Sequence, residues 1–221
     1  MAGPFAALNG IPIVNGTVTF PYSGIWHADV TLDTAVGVAG PQVLTLADLS
    51  LVCSVVRGVN FAAVRQVRLV GGQGGWRTNV PPLQYYTPGG VATSIICSDL
   101  AALVGEIPPV IGPTAPQITT GPGFVRKYGL ASNVLQQLFG DQWWMDYTGT
   151  VQVLPRPVIP VPPTFETLAV SGAWGIFEIY NAILTPFLPG AAIVSPTVTG
   201  TINRVMHYIT PEKVRTEIMI P

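Results

Sequence analysis

Between residues 13 and 32 the chain alternates apolar and polar side chains. In "IVNGTVTFPYSGIWHADVTL", Val18 and Phe20 oppose Thr17 and Thr19, while Trp26, Ala28, Val30 and Leu32 oppose Ile25, His27, Asp29 and Thr31. Successive side chains of a strand point to opposite faces, so this period of two predicts two half-buried strands, joined at Pro21 to Gly24. "QVLTLADLSLVCSVVRG" and "AAVRQVRLVGG" add two or three β-rich runs, closed by glycines that permit tight bends. Residues 8 to 80 thus read as a small barrel.

The period then changes. "TSIICSDLAALVGE" carries Ile95, Ile96, Leu100 and Leu103 near helical spacing, with Gly105 close to its end. "GLASNVLQQLFGDQ" sets Ala131, Val134, Leu135, Leu138 and Phe139 on one face and stops at Gly140. It runs into "WWMDYTGTVQVLP", where Thr148-Gly149 suits a hairpin turn against which Leu135 and Leu138 should be buried. Between the helices, the proline-rich stretch 107–122 has no periodicity and reads as an exposed loop. "RPVIPVPP", Arg156 to Pro163, reads as a linker. The closing "TINRVMHYITPEKVRTEIMIP" predicts two strands around Thr210-Pro211-Glu212-Lys213, the second with Val214, Thr216, Ile218 and Ile220 on one face. The pattern predicts a mainly β (α+β) chain. Two small β-barrel domains flank a helix-containing insert: residues 1–84 form the first barrel, 85–156 the helix-hairpin insert, and 157–221 complete the second barrel.

Charge changes the picture. Of the 221 residues only 10% are Asp, Glu, Lys or Arg, against roughly 25% in a usual soluble domain. A free monomer needs charge to keep its surface solvated, so much of this surface is expected to meet neighbouring subunits. The net charge is −1 and no Lys/Arg run is present, which leaves no footprint for binding nucleic acid along its backbone. The start, "MAGPFAALNGIPI", lacks a secretory pattern, so synthesis in the cytoplasm is expected. Cys53 and Cys97 sit in apolar contexts that predict buried thiols. The apolar segment Val170 to Val194 is long enough to suggest a membrane span, but Glu178, Asn181, Pro186, Pro189 and Gly190 interrupt it. No stable span is expected.

Candidate chemistry is sparse. "GGQGGWRTNVPPLQYY" at 71–86 resembles a phosphate-binding loop only in its glycines. A nucleotide loop needs Lys then Ser or Thr, or a helix directly behind it, and Trp76, Arg77 and Pro81-Pro82 stand there instead. A sharp bend with Trp76 anchored in the core is the expectation. His27, Asp29 and Asp33 could converge on a metal, yet one strand rarely supplies a closed site. His207 stands alone, no nucleophile elbow is present, and the carboxylates Asp99, Glu106, Asp141, Asp146, Glu166 and Glu178 show no paired spacing. No catalytic, cofactor or metal site is expected.

The stretches "GIWHADVTLD", "VRLVGGQGGWRTNVPPLQYY", "SDLAALVGE", "FVRKYGLASNVLQQL" leading to "WWMDYTGTVQVLPRP", and the C-terminal "TINRVMHYITPEKVRTEIMIP" resemble, in that order, the hub proteins of bacteriophage baseplates and related contractile injection systems. The resemblance implies a structural virion protein of the tail baseplate, without enzymatic activity. It implies a homotrimeric ring in which each protomer gives two similar barrels, matching a hexameric tail tube above. The central spike hangs below, baseplate wedge or other tail proteins lie around it, and the channel serves genome delivery. Trp26, Trp76, Leu135, Leu138, Trp143 and Arg215 are the structural or interface candidates. A tail-tube adaptor or spike-type OB-fold tail protein is the nearest alternative. A carbohydrate-binding β module, stacking sugars on Trp26, Trp76, Trp143, Trp144 or Trp174, is a further one.

Overall fold

The computed structural model describes residues 5–157, 166–171, 175–180, 183–194 and 199–221. The expected linker therefore lies largely outside the described residues, as does Trp174. The alternating N-terminal region folds into β1 (Ala6–Leu8), β2 (Ile11–Pro21), β3 (His27–Leu32), β4 (Gly40–Leu46), β5 (Leu49–Phe61) and β6 (Val64–Gly71). Their order is β1-β4-β5-β6-β3-β2, and a β1–β2 pairing closes the sheet into a six-stranded barrel. Every position that the alternation places inward on β2 and β3 is buried, from Val18 and Phe20 to Ala28, Val30 and Leu32. Leu44, Leu46, Leu51, Cys53 and Leu69 fill the barrel from the other strands.

The insert carries β7 (Asn79–Val80), β8 (Leu83–Tyr86), α1 (Thr93–Val104), β9 (Val110–Ile111), β10 (Gly123–Arg126), β11 (Gly129–Leu130), α2 (Ala131–Phe139), β12 (Trp144–Met145) and β13 (Val151–Val153). Its structural start precedes the expected boundary at residue 84. β7 pairs with β11, and all four residues of β8 pair with β10, so 79–86 belong with the insert. The proline-rich stretch is also more than an exposed loop. β9 lies parallel to β13, Ala115 is buried, and the Thr93 hydroxyl donates to the Pro116 carbonyl at 2.7 Å. The β12–β13 hairpin turns through Asp146, whose carboxylate accepts from the Thr150 N–H at 2.9 Å and the Thr148 hydroxyl at 2.7 Å. This hairpin packs across the barrel end: Tyr147 lies edge-on to Phe20 at 5.7 Å, and its carbonyl accepts from the Val52 N–H at 2.9 Å.

The last part contains β14 (Glu166–Ser171), β15 (Ile176–Tyr180), β16 (Ala192–Val194), β17 (Thr199–Thr201), β18 (Arg204–Ile209) and β19 (Val214–Met219). The apolar segment 170–194 thus holds strands, and among the described residues no helix is long and apolar enough to cross a membrane. β18 pairs with β19 around the expected turn, and Val214, Thr216 and Ile218 point inward. β18 also pairs with residues 16–21 of β2, next to the short contact that β1 makes with its first residues. The eleven residues of β2 therefore serve two neighbours along one edge. Among the described residues the C-terminal strands continue the first barrel's sheet in the order β2-β18-β19-β15-β14. The long β2 thus gives its backbone both to the barrel strands β1 and β3 and to the C-terminal β18.

Candidate assembly interface

The six candidate residues divide by exposure. Trp26 and Trp76 are 1% exposed, Trp143 4% and Leu135 0%. Each lies in the core of this chain, and the Trp26 and Trp143 indoles donate inward, to the Asp146 carbonyl and to Gln136. None of these three tryptophans presents a ring face on which a sugar could stack. Trp144 is half-buried under the Arg156 guanidinium, 4.4 Å away. Leu138 is partly buried against the core. In α1 the buried positions are Thr93, Ile96, Cys97, Leu100 and Ala101, whereas Ile95 and Leu103 face outward, 54% and 52% exposed.

Arg215 alone among the six is on the surface. It lies at one end of a cross-strand row on the outer face of the sheet: Arg57, Arg68, Asp29, Thr17, Tyr208 and Arg215 stand opposite one another on successive strands. Its guanidinium sits 5.0 Å from the Tyr208 ring and 3.5 Å from Glu178. Arg68 grips Asp29 through two hydrogen bonds of 2.8 and 2.7 Å. That pairing occupies the carboxylate considered for a metal, and no metal-ligating cluster forms among the described residues. His27 beside it is held below the usual histidine range, first by burial and then by the Arg68 charge.

At the other end of the row the sheet departs from the barrel. A register shift between Val55 and Arg57 kinks β5, and the β5–β6 hairpin carries Arg57, Val59 and Phe61 on its outer side. With Asp29, Gln66 and Arg68 these side chains line an open trough of about 630 Å³. Among the described residues no carboxylate pairs with Arg57. A second concavity, about 330 Å³, lies between Tyr22, Trp144 and Arg156. There the guanidinium is used internally: it donates to the Tyr22 and Pro21 carbonyls at 2.7 and 2.9 Å, and burial brings its pKa down to about 10.

The glycine-rich loop does hold an anion, but one from the same chain. The Glu106 carboxylate accepts from the backbone N–H groups of Gly75 at 2.7 Å, Gln73 at 3.2 Å and Trp76 at 3.4 Å. Gly74 adopts φ 88°, and a Cβ on Gly75 would meet the Val104 carbonyl at 2.1 Å, so the close approach requires glycine there. Burial pushes the Glu106 carboxyl above its usual range, against the pull of those donors. The latch joins the loop to the end of α1. Only a lone carboxylate ahead of Ile107-Pro108-Pro109 marks it in the sequence.

Solved structures that share this fold include three tail and secretion proteins. The Escherichia coli c3393 protein, a component of the type VI secretion system with structural similarity to T4 bacteriophage tail proteins gp27 and gp5, matches with a TM-score of 0.69 at 12% identity, over 98% of this chain and 76% of that one. The 43 kDa tail protein of prophage MuSo2 from Shewanella oneidensis matches with a TM-score of 0.64 at 6% identity, over 98% and 96%. The tail protein from Neisseria meningitidis MC58 matches with a TM-score of 0.51 at 10% identity, over 98% and 96%. No protein-family model and no curated protein sequence matches the chain.

Proposed function

We propose that this chain is a structural component of a phage-type tail, a baseplate hub that assembles as a closed ring and links the tail tube to the central spike, leaving a channel for genome delivery. The observation that carries the reading is the fold, shared over 98% of the chain with tail and type VI secretion proteins. The surface agrees with it: large apolar side chains such as Phe61, Tyr86, Ile95, Leu103 and Tyr128 stand exposed on a chain with 10% charged residues. Such a surface gains by association. The reading places the protein in the virion tail, as a homo-oligomer with a trimer favoured, next to tube, spike and wedge proteins. It requires no cofactor and no catalysis.

Imaging of the purified chain and of intact particles tests this. Closed rings, located by labelling at the junction of tube and baseplate, are expected. A stable monomer at micromolar concentration by light scattering refutes the hub. Labelling along the tube or at its head-proximal end favours an adaptor.

A further inference from the structure

We infer that the β5–β6 trough of one copy receives the outer face of α1 from a second copy, and that this contact builds the ring. The ring itself rests on the hub reading, and the contact rests on the geometry of the two surfaces.

The trough carries a charge followed by two apolar side chains. Arg57, Val59 and Phe61 share one side of β5, with Val59 and Phe61 42% and 54% exposed. Along a strand they stand at steps of about 6.7 Å. The outer face of α1 carries the opposite charge in the same order. Asp99 is exposed, Leu103 lies one helical turn further on, and exposed Ile107 comes just past the helix end. The four residues from Asp99 to Leu103 advance about 6 Å along the axis, so Asp99 against Arg57 brings Leu103 against Val59. Ile107 then faces Phe61.

Among the described residues neither surface is covered within the chain. Arg57 stands opposite Arg68 in register, and Arg68 already spends its charge on Asp29. An incoming carboxylate would relieve Arg57, for which the described residues supply none. Asp99 lies beside the Tyr85 hydroxyl and has no cation paired to it among the described residues. The inner side of α1 is fixed by Ile96, Cys97, Leu100 and Ala101, so its outer side is presented at a set angle. Trough and helix are different patches, which makes the contact heterologous: each copy uses its trough towards one neighbour and its helix towards the other. Repetition of such a contact closes a ring when the rotation permits.

Full-length chains carrying Val59→Cys or Leu103→Cys, prepared separately, test the contact. Cys53 and Cys97 are buried, with both thiols pushed up to about 12, so they add little background. On oxidation the mixed sample should give a disulfide-linked pair, and neither chain alone should. Arg57→Glu and Asp99→Lys should each weaken association at least about tenfold, and their combination should restore it. Wild-type rings without the mixed cross-link, and indifferent to both charge reversals, overturn the contact while leaving the hub reading in place; the trough then faces another tail component. Cross-linking of Val59→Cys to itself would show trough against trough and also overturns it. A wild-type chain that stays monomeric removes both.

Discussion

Replacing His207 by glutamine should reshape the acid stability of this protein. His207 is 0% exposed between β2 and β19, edge-on to Phe20 at 5.8 Å, with Nδ1 2.8 Å from the Thr216 hydroxyl. Its Nε2 is buried with no hydrogen-bond partner among the described residues. Burial lowers its pKa from 6.5 to about 3, against the opposing pull of the Asp48 charge. The unfolded chain therefore takes up a proton below pH 6.5 while the folded chain stays neutral almost to pH 3. Stability is fully present above pH 6.5 and is lost as pH falls through that window. At 1.36 kcal/mol per pKa unit the loss from this residue is about 2 kcal/mol by pH 5 and about 3 kcal/mol by pH 4. Glu106, with a raised pKa, acts in the opposite sense, since its folded carboxyl binds a proton more readily than the unfolded one. The comparison with His207→Gln cancels it. Glutamine can still bond Thr216 but loses the ring contact, so the variant should be about 1 kcal/mol less stable at pH 7.5 and as stable as wild type, or more so, near pH 5. Denaturant midpoints followed by tryptophan fluorescence, at one protein concentration from pH 8 to 4, measure this. Parallel pH profiles for the two proteins would refute the argument.

Leu135→Asp places an unpaired charge at a fully buried site between α2 and the core and should cost on the order of 3–5 kcal/mol, read as loss of soluble folded protein. Glu106→Ala strips the acceptor from three backbone N–H groups and should cost about 1–3 kcal/mol, with increased hydrogen exchange confined to residues 72–77. Deleting Val214 to Pro221 removes β19, which pairs with both β18 and β15; on the proposed hub reading, particles carrying that deletion should lack hub and spike, and normal infectious particles would show the terminus to be peripheral.

The strands that were legible are those whose partners lie close in sequence and whose burial is one-sided. The β2–β3 and β18–β19 hairpins show a clean period of two, and their inward residues are the ones it selects. The junction of β18 with β2 gives no such signal. Backbone groups form it across nearly the whole chain, from Pro21 to Arg204, and nothing in either strand's side chains names the other. The Glu106 latch is invisible for a related reason. Phosphate-loop chemistry is sought in the residues directly after the glycines, whereas the acceptor that these N–H groups bind stands about thirty residues later, past α1.

Helix α1 shows where the sequence carries more than the folded chain uses. Ile95, Ile96, Leu100 and Leu103 fall near helical spacing, and apolar residues so spaced read as one packed face. The structure covers only the side bearing Ile96 and Leu100. Keeping Ile95 and Leu103 in water gives the monomer nothing, and removing each from water is worth roughly 1–2 kcal/mol at this exposure. The same reasoning applies to Val59 and Phe61 on the β5–β6 hairpin. A sequence that supplies apolar residues where its own fold leaves them exposed, and withholds the charge that would solvate them, encodes a second packing step. On the proposed ring reading, the low charge content and the uncovered faces are one property, and the missing half of each contact belongs to another chain.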